Sequence, residues 1–241
     1  MNQSNKSIKA VKAMILAAGR GKRLRPLTDS IPKPLVSLCG KPLIEYHIEK
    51  LAKAGVTEVV INHAWLGQKI EQTLGCGARW NITIHYSPEP EGGLETAGGI
   101  INALPLLGDA PFLLVNGDVY TDMPFEPLLK QAQAMSQTPE VQAHLMLVPS
   151  PEHNAKGDFG LTKKAQVTEQ GEFTFAGISV LSPRLFADRP IDFIPLAPIL
   201  RNAMQHQQAS GALYNGFWSD IGTLERLKQT EQVVCPKSTV N

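Results

Sequence analysis

The chain is short of the features that mark several large protein classes. Its 241 residues carry 23 Lys and Arg against 22 Asp and Glu, a formal net charge of +1. Without a surplus of one sign it lacks the electrostatic footprint of a nucleic-acid coat or a polybasic membrane anchor. No run approaches the roughly 20 apolar residues of a membrane helix. The apolar stretch after residues 1–12 is too short for the core of a secretory signal. The expectation is a cytoplasmic protein with neither membrane nor nucleic-acid partner. Cysteine is scarce: Cys39, Cys76 and Cys235 are widely spaced, match no metal or redox pattern, and read as ordinary reduced thiols. The six histidines show no ligand spacing, and no Ser–His or Cys–His set stands out. Trp65, Trp80 and Trp218 read as packing residues, although Trp218 is placed to shape a pocket beside Asp220. Repeats, low-complexity tracts and linkers are missing too. The 43% hydrophobic content therefore goes into one domain over residues 13–234, with a flexible extension at 1–12 and a tail at 235–241.

What the chain does have is concentrated near its start. The apolar run Met14-Ile15-Leu16 ends in Ala17-Ala18, and then Gly19 and Gly21 bracket Arg20 and release the backbone into a basic loop. Glycines let successive N–H groups turn toward one point, where they and Lys22, Arg23, Arg25 and Lys33 can meet phosphate oxygens. A plain strand-to-helix turn with a solvated basic face is the alternative. Two related motifs are excluded. A dinucleotide fingerprint needs a third glycine where this chain has Leu24, and Pro26 sits awkwardly where its helix should open. A Walker loop needs Gly-Lys-Ser/Thr, and Gly21-Lys22 is followed by Arg23.

Helical spacing follows over residues 42–54, then a buried strand at 58–62 and a helix at 66–74 ended by Gly75. Strand, helix, strand requires a crossover and hence parallel pairing. A third strand over residues 81–86 alternates and is β-branched, and leads into residues 87–99, rich in Gly and Pro, then a helix over 100–107. Thr96 and Gly98 suit close approach to a planar base and its ribose; Thr96 as a helix N-cap is the equal alternative. The most apolar strand, Phe112-Leu113-Leu114-Val115, ends in Asn116-Gly117-Asp118. Ligands of open α/β sheets gather outside the carboxyl ends of the strands, which places Asp118 on the edge of the glycine loop. It is a metal-ligand candidate there, as well as a potential turn residue. Further helices are expected over 125–137, 195–208 and 224–233, a strand over 142–148, and short antiparallel strands near 156–161, 166–167 and 172–181. The fold class is α/β: one Rossmann-like domain with a mostly parallel central sheet flanked by helices and a small appended antiparallel ribbon.

The run Leu16, Ala17, Ala18, Gly19, Gly21, Arg23, Leu24, Pro26, Thr28, followed by Pro32-Lys33-Pro34, resembles the signature of the sugar-1-phosphate nucleotidyltransferases. Position 22 departs from the frequent Thr or Ser, so Lys22 offers a charge in place of a hydroxyl. The resemblance runs from Ala13 to the last helix and is densest in the first half. It implies Ala18, Gly19, Gly21, Lys22, Arg23, Lys33, Thr96 and Gly98 at the nucleotide; Asn116, Asp158, Gly177 and Asp220 at the sugar phosphate; and Mg²⁺ on Asp118 and Asp220. Arg23, Lys33 and Asp118 would be the catalytic groups. A sugar phosphate oxygen is already ionised, so no general base is needed; charge neutralisation and in-line geometry are. The motifs 61–67, 93–99, 116–119 and 157–159 look most like members that take UTP and N-acetylmuramate α-1-phosphate. Transferases of glucose- or mannose-1-phosphate with UTP, dTTP or GTP, and a non-catalytic nucleotide-sugar-binding subunit, are the alternatives. No hexapeptide-repeat extension of the kind carried by bifunctional members is seen.

Overall fold

The structure is a computed structural model that describes residues 10–235. Most of the extension expected at 1–12 and of the tail at 235–241 lies outside the described residues. Lys12 already belongs to the fold: its carbonyl accepts from Leu113 N at 3.0 Å and its ammonium reaches Glu58 at 2.8 Å.

Among the described residues eight strands make one mixed sheet: β1 (Ala13–Leu16), β2 (Glu58–His63), β3 (Thr83–Pro88), β4 (Phe112–Asn116), β5 (Ala143–Pro149), β6 (Phe159–Leu161), β7 (Val167–Leu181) and β8 (Ala209–Leu213). Their order is β8-β5-β7-β4-β1-β2-β3, with β6 on β7. The run β4-β1-β2-β3 is parallel, as is β8 on β5, while β7 is wedged antiparallel between β4 and β5. Side chains alternate across the pleat, so each strand feeds two cores. Ala13, Ile15, Val59, Ile61, Leu113 and Val115 pack under α1 (Leu43–Lys53), α2 (Gly67–Leu74) and α4 (Glu126–Gln137). Met14, Val60, Phe112 and Leu114 pack under α3 (Glu95–Leu107) and α5 (Leu196–Gln205). Both faces are covered, which is why the parallel strands read as continuous apolar runs. Among the described residues no helix is long and apolar enough to cross a membrane.

The structure corrects the sequence reading at three places. The helix expected from residue 100 begins at Glu95, because Ala97 N and Gly98 N both donate to the Ile194 carbonyl, at 2.9 and 3.1 Å, from a remote segment that caps it. Thr96 is consequently inside the first turn, and Leu94 holds the cap position with no side-chain bond. The strands expected near 166–167 and 172–181 are one, β7, with register shifts at Thr168/Phe173 and Phe175/Ser179. Cys39 and Cys235 are joined in a disulfide, not free thiols; Cys76 is free and exposed. The last helix, α6 (Leu224–Val234), folds back on the hairpin strands Ser37–Leu38 and Lys41–Pro42, burying Leu24, Val36, Leu38, Leu43, Ile221 and Leu227 together. That packing brings two sulfurs 196 residues apart side by side.

Candidate active site

In the parallel half Leu16 stands in register with Asn62 and with Asn116, and Asn62 with Ser87. Four strands therefore stop on one edge, and the loops that follow them line a cavity of about 890 Å³. Ala18, Gly19, Gly21, Lys22, Lys33, Thr96, Asn116 and Asp118 all line it.

The glycine loop is held by its own small residues. Gly21 has φ +66°, a left-handed conformation costly for other residues, and a methyl there would come within 3.1 Å of both Lys33 and Thr28. Its carbonyl accepts from Thr28 Oγ1 at 2.8 Å and Leu24 N at 2.9 Å. Arg20 donates to the Thr28 carbonyl at 2.6 Å, pairs with Asp29 at 3.0 Å and lies 3.8 Å over the Trp65 ring, so it fastens the loop to the cavity wall. Gly117 lets β4 close on β1: its N–H reaches Leu16 O at 2.9 Å, where a methyl would meet that carbonyl at 2.6 Å.

Two further residues were not legible as site builders. Asn62, buried at the end of β2, accepts from Ala17 N at 2.9 Å and donates to Glu89 at 2.6 Å. Glu89 in turn accepts from Leu94 N at 2.8 Å. One amide and one carboxylate thus couple the glycine loop to residues 89–94. Burial raises the Glu89 carboxyl above its ordinary range, against the opposing pull of the Asn62 and Leu94 hydrogen bonds. Gly99 is required beneath them, since a Cβ there would collide with the Glu89 carboxylate. The only local signal was a polar residue ending a buried strand.

Lys33 is 12% exposed and its ammonium is paired with the Asp118 carboxylate, itself 34% exposed. Asp220 ends the short strand Trp218–Asp220, which pairs antiparallel with Val119–Thr121 and sets Asp220 opposite Val119. Ile221 N donates to the Asp118 carbonyl at 2.7 Å. Two aspartates 102 positions apart in the chain are thereby brought to adjoining ribbon strands. Asp220 is 26% exposed and pairs with Arg226 at 2.5 Å and His153 at 3.0 Å. Two hard, partly exposed carboxylates suit Mg²⁺, which is usually held by one or two carboxylates with water and phosphate oxygens completing the shell. Among the described residues there is no cluster of three or more potential ligands.

Arg23, Gly98, Asp158, Gly177 and Asp220 are not in the cavity lining. Arg23 is exposed and lies against Gly222, where a methyl would stand 3.0 Å from its guanidinium. Gly98 has its N–H committed to Ile194 and its Cα pressed against the Asp192 carbonyl, so it admits residues 192–194. Asp158 accepts from Phe175 N at 2.9 Å and Asn154 Nδ2 at 3.1 Å, bonds that fasten its own loop to β7. Gly177, at φ +69°, abuts the Asn116 side chain, which a methyl would meet at 2.7 Å. It shapes the wall behind Asn116.

Residues 12–173 match the nucleotidyl transferase family. Over 226 residues the chain is 49% identical to the N-acetylmuramate alpha-1-phosphate uridylyltransferase of Neisseria meningitidis, covering 92% of this chain and 97% of that protein. It is 33% identical to the mannose-1-phosphate guanyltransferase of Hypocrea jecorina, over 88% of this chain but 61% of the longer fungal one. Among solved structures, HddC from Yersinia pseudotuberculosis complexed with GMP-PN superimposes with a TM-score of 0.75 at 20% identity, covering 92% of this chain and 99% of that one. At that identity the likeness concerns the fold alone. A family match across two thirds of the chain, and a relative aligned nearly end to end, both fall on the glycine loop and the strand edge that build the cavity: the chain belongs to the nucleotidyl transferase family, as a sugar-1-phosphate nucleotidyltransferase.

Proposed function

We propose that this chain transfers UMP from UTP to N-acetylmuramate α-1-phosphate, giving UDP-N-acetylmuramate and pyrophosphate, a cytoplasmic reaction of cell-wall sugar recycling. The observation that carries the choice of substrates is the 49% identity, nearly end to end, with a relative of that activity, against 33% for a guanyltransferase that uses mannose-1-phosphate.

The residues divide the work by charge. The loop of Ala18, Gly19, Gly21 and Lys22 receives the triphosphate, with Thr96 toward the nucleoside. Gly98 supports the nucleoside wall through the segment it admits. Lys33 exchanges Asp118 for the phosphate that accumulates charge, and Arg23 reaches the same phosphates from the loop's outer side. Preorganised donors of this kind are each worth about 3–4 kcal/mol of barrier. Asn116 faces the acceptor, backed by Gly177, while Asp158 fixes the loop beside it. Asp118 and Asp220 would hold Mg²⁺, which when bound neutralises the two phosphates that must approach each other. The acceptor phosphate attacks as an anion already ionised at neutral pH, so no side chain has to remove a proton.

The test is pyrophosphate release from UTP, dTTP and GTP against N-acetylmuramate α-1-phosphate, glucose-1-phosphate and mannose-1-phosphate, with and without Mg²⁺. UTP with N-acetylmuramate α-1-phosphate should give the highest kcat/KM, and chelation should abolish it. A different best pair would overturn the substrate assignment, and silence with every pair would leave a binding protein.

A further inference from the structure

Beyond the cavity lining, two basic side chains, Arg226 and His153, converge on Asp220, and Arg23 stands beside them at Gly222. Arg226, in the first turn of α6, directs Nη1 at both Asp220 oxygens at 2.5 Å. His153, from the turn Glu152–Asn154, places Nε2 3.0 Å from Asp220 Oδ1 and 2.7 Å from Arg226 Nη1. Arg23 arrives from the glycine loop, and the bare Cα of Gly222 leaves room for both guanidiniums. Arg226 is only 13% exposed, whereas His153 is 44% exposed.

The balance of this cluster is unusual. One guanidinium and an imidazole share the Asp220 carboxylate, a second guanidinium, that of Arg23, stands beside them at Gly222, and the neighbouring Asp118 is already matched by Lys33. A half-buried guanidinium is retained at a cost unless an anion meets it. The imidazole geometry is also divided. Nε2 accepts from Arg226 in one tautomer and donates to Asp220 in the other, but cannot do both at once. Removing Asp220 from the set frees the Arg226 fork and His153 together.

We propose that Arg226 and His153 are the acceptor-anion clamp of this enzyme, held on Asp220 until the acceptor arrives. Once Asp220 is engaged elsewhere, the planar fork of Arg226 meets an anionic group of the sugar phosphate and His153 closes on it from the opposite loop. The loop after His153 is fastened to β7 by Asp158, through Phe175 N and Asn154. Asp158 therefore positions the loop, and His153 is what the loop presents. The ligand chemistry is an oxyanion, supplied by the acceptor in two forms: its phosphate and, on N-acetylmuramate, its lactyl carboxylate. The inference rests on the transferase reading above.

The experiment compares the parent protein with Arg226→Met, Arg226→Lys and His153→Ala, measuring KM for UTP and for N-acetylmuramate α-1-phosphate separately. N-Acetylglucosamine-1-phosphate, which lacks the lactyl group, serves as competitive inhibitor. Arg226→Met should raise the acceptor KM by about tenfold or more while the UTP KM stays within about twofold, and Arg226→Lys should recover part of the loss. His153→Ala, an exposed position that spares the fold, should raise the acceptor KM about threefold to fivefold. A matching rise in the inhibitor constant assigns the clamp to the phosphate; an unchanged one assigns it to the carboxylate. Acceptor KM values within about twofold of the parent in both Arg226→Met and His153→Ala would overturn the clamp. If Arg226→Met fails to fold, His153→Ala alone decides. A parent protein that releases no pyrophosphate with any pair would instead sink the transferase reading.

Discussion

At the glycine-loop edge, β4, β1, β2 and β3 stop in register, and each contributes the few residues that directly follow it. At the Asp220 edge nothing is consecutive. His153, Asp158, Gly177, Asp220 and Arg226 come from a turn, a short ribbon, a bulged strand and a helix that meet only through antiparallel pairing. The first edge places backbone and small residues, which suits a triphosphate common to many enzymes. The second places long charged side chains, which suits discrimination among sugars. The contrast predicts that damage on the first edge falls on nucleotide use and chemistry, while damage on the second, the proposed metal ligand Asp220 apart, shifts acceptor preference or stability.

The largest effect should come where the two edges touch. Asp118→Asn leaves the Ile221 N–H bond to its backbone carbonyl intact but withdraws the charge that faces Lys33. Turnover should fall by about 10³-fold or more, on the scale of a lost transition-state electrostatic contact, with the thermal midpoint close to the parent. An undiminished rate in pyrophosphate release would remove Asp118 from the reacting centre. Next, Gly177→Ala forces a side chain into the left-handed region and against Asn116, and should cost about 1–3 kcal/mol in urea unfolding. If the edges differ as argued, its acceptor KM should rise while the UTP KM holds.

Glu89→Gln probes the first edge from within. Glutamine has one acceptor oxygen where two separate hydrogen bonds, from Asn62 and Leu94, now end, so a buried donor is left unpaired at about 1–3 kcal/mol. Here the UTP KM should rise more than the acceptor KM, the reverse of Gly177→Ala. The smallest effect is a pH dependence far from both edges. Burial lowers His144, on β5, to about 4. An imidazole with a depressed folded pKa stabilises the fold above the unfolded value near 6.5, and that contribution is lost as pH falls from 6.5 toward 4. The unfolding free energy from urea titrations over that window should drop by on the order of 1–2 kcal/mol, and His144→Asn should flatten part of the slope.

The glycine loop was legible because its residues are neighbours in the chain and their chemistry is set by spacing: Gly21 must turn where it turns whatever lies elsewhere. Asp118 was legible as the end of the most apolar strand. Glu95 as the start of α3 was not, since the carbonyl that caps it belongs to Ile194. Arg226 and His153 carried no pattern at all, and each matters only through the other and Asp220.

By itself, then, the sequence determined the alternation of strand and helix, the parallel edge and the phosphate loop, because hydrophobic period and glycine conformation act over a few residues. Tertiary structure alone decided which distant side chains share a carboxylate, which cysteines meet, and which glycines exist to admit another segment. Those outcomes depend on where β7 wedges into the sheet and where α6 folds back. Burial across the whole domain selects both placements, and no local run of residues encodes them.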